Sequence, residues 1–187
     1  MGDWRARHNL SISQSHFTEK ERGMTQNAIL RMFEYNEWAW QRVFPSLAAL
    51  SDEEYFAERP FFWHSIHGLA VHSYGADWIW LQRCRGVSPS ALPAQESVTD
   101  LADLRRQWDP VRAELREYVA TLTDEQLASD IIYRDTAGKP YAFNLGDLLR
   151  HVTNHATEHR SQMTPTLFQL GHPTEQLDYL YFARRPA

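Results

Sequence analysis

Asp147-Leu148-Leu149-Arg150-His151-Val152-Thr153-Asn154-His155-Ala156-Thr157-Glu158-His159-Arg160-Ser161-Gln162 carries three histidines at intervals of four, inside a stretch otherwise patterned as an amphipathic helix. Side chains four apart share one helical face, one turn above each other. Two imidazoles at that spacing can address one metal ion without bending the backbone. All three cannot, because at ~1.5 Å of rise per residue His151 and His159 stand ~12 Å apart along the axis. One neighbouring pair, His151/His155 or His155/His159, can chelate, and the remaining histidine has another task.

Around this segment the chain divides into long helical stretches. Asn144 is placed to cap a helix over Leu145–Leu170 that Gly171 ends, with Pro165 as a site for a kink or an early stop. Before it, Ile131-Ile132-Tyr133-Arg134 and Tyr141-Ala142-Phe143 flank a turn-rich Asp135–Pro140, the pattern of a short β-hairpin or an extended excursion. A third helix starts near Thr99-Asp100 and places Leu101, Leu104, Trp108, Val111, Leu115 and Val119 on one stripe, with Pro110 expected to kink it. A second apolar-periodic stretch runs from after Pro60 to about Arg85 and is closed by Gly86 and Pro89. The first covers Met24 to about Leu47, with Pro45 interrupting near its end and Ser51-Asp52-Glu53-Glu54 reading as a capped turn. Residues 1–20 read as an irregular arm, and the apolar tail 172–187 as packed on the domain or on a second copy. The expected architecture is all-α: a single-domain four-helix bundle with a small β excursion between the third and fourth helices.

Composition narrows the function classes. A net charge of −5 lacks the basic face that phosphate binding needs, which argues against nucleic acid as a partner. The single Cys84 rules out an intramolecular disulfide framework and fits a reducing cytoplasm. No apolar run reaches the length of a membrane span, and the polar N-terminus has no signal-peptide apolar region. The many aromatic residues and the apolar tail lead us to expect a homodimer.

Metal sites in bundles draw ligands from facing helices. In Trp63-His64-Ser65-Ile66-His67-Gly68-Leu69-Ala70-Val71-His72, His72 shares an apolar face with Leu69, Ala76 and Ile79 and is the natural third ligand. His64 lies near the helix start and His67 is off that face, so both read as surface or pocket-rim residues.

His72-Ser-Tyr-Gly-Ala-Asp77-Trp78-Ile-Trp80-Leu-Gln-Arg83, together with His151-Val-Thr-Asn154-His155-Ala-Thr-Glu-His159-Arg160-Ser-Gln162, resembles the DinB/YfiT-like family of metal-binding four-helix bundles. The likeness extends from Asn36-Glu37-Trp38-Ala39 through Tyr133-Arg134 to Leu170-Gly171-His172. It implies that the three metal-binding histidines are His72, His155 and His159, which leaves His151 as a nearby pocket residue. Glu158 and Ser161 stand where the commonest family form has a histidine and a glycine.

Three neutral imidazoles leave coordination positions for water or substrate, as in catalytic zinc sites. Nitrogen donors suit zinc first and nickel next. Asp77, His151, Asn154 and Glu158 are candidates to orient the ligands or move protons, and Arg160 to anchor a carboxylate. The resemblance implies a metal-dependent thiol S-transferase, using a bacillithiol-like thiol and a small electrophile as partners. The alternative is a non-catalytic, stress-responsive, metal-binding dimer.

Overall fold

In a computed structural model that describes residues 25–60 and 62–184, four long helices form a bundle, and a two-stranded antiparallel hairpin precedes the last of them. The elements in order are α1 (Gln26–Ala48), α2 (Asp52–Phe56), α3 (Ile66–Cys84), α4 (Leu101–Thr121), α5 (Asp124–Leu127), β1 (Asp130–Arg134), β2 (Pro140–Asn144), α6 (Leu145–Gln169) and α7 (Tyr179–Ala183). The arm expected over residues 1–20 lies outside the described residues. Among the described residues, no helix is long and apolar enough to cross a membrane.

Side chains placed at the helix starts satisfy their free N–H groups. The Ser51 hydroxyl and Glu54 carboxylate of α2 form a reciprocal capping box, Asp100 accepts from Asp103 N at 2.8 Å, and Asn144 accepts from Asp147 N at 3.1 Å. The α6 helix ends where Gly171 adopts φ +85°, a left-handed conformation that glycine takes at no steric cost. Pro45, Pro110 and Pro165 all lie inside helices that continue past them, so none of the three stops its helix. Each proline removes one backbone bond. At Pro110 the burial of Leu104, Trp108, Val111 and Leu115 on both sides outweighs that loss.

The packing is not that of a simple up-and-down bundle. The principal contacts pair α1 with α4 and α6, and α3 with the same two, so α1 and α3 lie diagonally opposite despite being consecutive long helices. This arrangement sets α3 beside α6 and brings His72 next to the histidine face of α6. The centre is aromatic: Trp40 and Trp108 are fully buried, their rings edge to face with centroids 4.6 Å apart. In the hairpin, Tyr133 pairs with Tyr141 and Ile131 with Phe143 across the strands, and Gly138 turns the chain at φ +83°. At the C-terminal end, Tyr179 and Phe182 lie against Tyr35 of α1, whose hydroxyl donates to the Leu177 carbonyl at 2.7 Å.

Polar groups also tie the helices together inside the core. Asp77 of α3 accepts from the Trp108 indole N–H of α4 at 2.7 Å. Burial, partly offset by that bond and by the Arg112 and Arg160 charges, raises its carboxyl pKa to about 6. Between pH 4 and 6 the folded chain therefore holds a proton here that the unfolded chain has lost, and this group's contribution to stability falls as pH rises through that window. A shift of about two units corresponds to roughly 3 kcal/mol. Asp77→Asn keeps an acceptor for Trp108 and removes the titration. Chemical denaturation of both proteins should show the variant gaining on the wild type by about 2–3 kcal/mol between pH 4 and 7.

Candidate metal centre

His155 and His159 lie one turn apart on α6, and His72 faces them from α3. The Nε2 atoms of His72 and His155 are 3.4 Å apart, those of His155 and His159 are 3.0 Å apart, and one ring nitrogen from each of the three lies within 4.8 Å of the others. His159 is buried, and the other two are half-buried. Of the two chelating pairs that the spacing allowed, the fold brings His155/His159 to His72. His151 remains one turn away at the exposed end.

The surroundings of two of the rings disfavour their protonation. Burial, reinforced by the His159 and His155 rings, lowers the His72 pKa to about 3. The same causes, burial first and then the His159 and His151 rings, lower that of His155 to about 4. At neutral pH both imidazoles thus carry free lone pairs, the form that ligates a metal.

Local contacts aim each ring. The Trp63 indole stacks flat on His72 with centroids 3.8 Å apart and planes 16° from parallel. Nδ1 of His159 donates to Gln162 Oε1 at 2.9 Å, which leaves the lone pair on Nε2 and directs it to the cluster. Sequence reasoning quoted Gln162 without giving it this role, although its place one turn after His159 is the signal that could have found it. No spacing rule points to Trp63, because it reaches His72 through an irregular segment.

The other candidates fall in different places. Asp77 was expected to orient a ligand imidazole, but it is buried against Trp108, since α3 turns that face toward α4. Arg160 is 2% exposed, and its guanidinium donates to Asn36 Oδ1 and to Thr157 Oγ1. It joins α6 to α1 inside the bundle, away from the surface. Glu158 and Asn154 are exposed. His151 is exposed at the rim with its ring edge-on to Trp80 at 5.5 Å, and burial lowers its pKa against the opposing pull of Glu158. His64 is exposed, as expected. His67 is not a rim residue: it is 4% exposed and packs on Tyr55 and Phe56, because α2 folds over the start of α3. Burial pushes the Cys84 thiol up to about 12, which leaves the chain's only cysteine unreactive at neutral pH.

A four-helix bundle that brings three histidine nitrogens together belongs to the class of helical proteins whose side chains could hold a metal ion. The family model described as "DinB family" matches residues 24–186, and the chain belongs to that family. It is 29% identical over 154 residues to Protein DinB of Bacillus subtilis (strain 168), which covers 80% of this chain and 90% of that protein. The fold is similar to the crystal structure of a DinB-like protein from Bacillus cereus ATCC 10987, with a TM-score of 0.57 and 20% identity over 82% of this chain and 99% of that one.

Gln162→Ala removes the group that orients His159 and touches no other member of the cluster. Metal affinity, measured by competition with a chromophoric chelator, should fall about 10- to 100-fold with the helical content unchanged.

Proposed function

We propose that this DinB-family chain binds one divalent metal ion, zinc or secondarily nickel, through His72, His155 and His159. We further propose that it is a thiol S-transferase, joining a low-molecular-weight thiol of the bacillithiol type to a small electrophile. The observation that carries this reading is the cluster itself: three imidazole nitrogens within 4.8 Å, with no fourth His, Cys, Asp or Glu in the group among the described residues. Three nitrogen donors suit a catalytic rather than a closed structural site.

A divalent cation, when bound, lowers the pKa of a thiol or water at its open position and raises the fraction of reactive anion at neutral pH. The chain's own residues supply orientation and shelter. Trp63 holds the His72 ring, Gln162 holds His159, and His151 of α6 meets Trp80 of α3 one turn from the cluster. In the transfer a sulfur–carbon bond forms, the electrophile's leaving group departs with its electron pair, and the thiol proton passes to solvent. The nucleophile comes from outside, because Cys84 is held protonated.

Elemental analysis tests the ligand set. His155→Ala and His159→Ala should each abolish stoichiometric metal and His64→Ala should retain it. Metal kept by His155→Ala would overturn the assignment. Metal should also leave on acidification, because each proton taken up by an imidazole removes a ligand. Activity is tested with a thiol panel and monochlorobimane on metal-loaded protein, metal-free protein and His72→Ala. Conjugation lost with the metal and restored with it supports the transferase. Equal rates in all three support the non-catalytic reading.

We propose a homodimer as the working assembly. Phe168, Leu180 and Tyr181 are large apolar side chains left exposed toward the C-terminal end, at 71%, 72% and 48%. Light scattering at micromolar concentration should give twice the 21.9 kDa mass of one chain, and a monomer mass would defeat the dimer.

A further inference from the structure

Beside the metal centre, the wall of α3 carries a cleft of about 110 Å3 lined by Trp63, Val71, His72, Gly75, Leu92 and Gln95 among others. Two glycines allow its walls to close on the helix. At Gly68 a Cβ would stand 2.2 Å from the Trp63 carbonyl oxygen, and at Gly75 it would stand 3.0 Å from Leu92 Cδ2. The chain reaches Trp63 through a strained turn: His64 takes φ +61°, rare for a residue with a side chain, and its carbonyl accepts from Arg59 N at 2.6 Å. That turn sets the Trp63 indole flat on His72. His72 of the histidine cluster therefore lines the cleft, and among the described residues no charged side chain does.

We propose that this cleft is an apolar subsite that receives a short alkyl or alkenyl substituent of the molecule bound at the three-histidine centre. The inference rests on the metal-binding part of the proposed function and is independent of the thiol chemistry. The lining is aliphatic and aromatic, with Gln95 and His72 as its polar members, so it suits an uncharged group. Its volume sets the size: an apolar cavity of roughly 150 Å3 accepts benzene, and this smaller space fits a chain of three or four carbons.

Alkyl hydroxamates test the subsite because their head groups coordinate divalent metals and their tails vary. Binding of acetohydroxamate, butyrohydroxamate and hexanohydroxamate to the cobalt(II)-loaded protein is read from the visible spectrum, without reference to activity. A buried methylene contributes about fourfold in affinity. The butyro compound should thus bind the wild type about fifteenfold more tightly than the aceto compound, with little further gain for the hexano compound. Leu92 lies on an exposed loop at 39% exposure, where substitution leaves the bundle intact. Leu92→Trp should bring the butyro/aceto ratio near one at unchanged cobalt content, and Leu92→Ala should move the preference toward the hexano compound. Equal affinities for all three tails in wild type with cobalt bound, or a ratio unaltered by Leu92→Trp, would overturn the subsite alone. Failure to take up cobalt would overturn the metal reading, and the subsite with it.

Discussion

Three imidazoles held in mutual contact, partly removed from water, must share a hydrogen or a common partner. His155 Nε2 lies 3.4 Å from one neighbour and 3.0 Å from the other, distances at which a ring N–H has to face a lone pair. A second proton is disfavoured on two of the rings, since burial and the neighbouring rings bring His72 to about 3 and His155 to about 4. A cation would replace these contacts by taking the lone pairs as ligands. Polar ring nitrogens drawn out of water cost desolvation within an otherwise well-packed bundle.

The rest of the bundle is arranged to bear that cost. Trp40, Trp108, Leu104 and Leu149 are fully buried and supply apolar area at the centre, while polar bridges fix how the helices meet. Asp77 links α3 to α4 through Trp108, and Arg160 links α6 to α1 through Asn36. The two bridges act on the two helices that carry the ligands. Arg160 follows His159 directly, so its anchorage in the core sets the rotation of α6 about its axis, and with it the direction of the histidine face. Buried groups of this kind fix which helix faces meet rather than adding net stability.

The sequence pattern carried much of this, for reasons that follow from periodicity. Helix faces follow from spacing, so an approach of His72 to the histidines of α6 was legible once a bundle was expected, while the choice of His155/His159 over His151/His155 came from the family resemblance. The caps at Ser51 and Asn144 were legible because capping is local chemistry. Asp77 and Arg160 were misplaced because spacing says which residues share a face but not which neighbour that face meets. The diagonal placement of α1 and α3 decides that question, and it is a property of the connections rather than of the helices. His67 went astray for a related reason: α2 is a single short element whose docking over α3 leaves no periodic trace.

Trp63 shows the limit most clearly. Its contact with His72 depends on a left-handed residue at His64 and on the missing side chain at Gly68, neither of which reads as functional in the linear chain. A histidine at φ +61° costs conformational energy, and the Arg59 N–H bond to its carbonyl at 2.6 Å holds the turn. The result is that one ligand ring is clamped by aromatic stacking and another by the Gln162 hydrogen bond. His155, between them, is positioned by its place on α6. Rings constrained independently from both helices would lose little entropy to an arriving ion, the preorganisation that favours any cation the three histidines could hold.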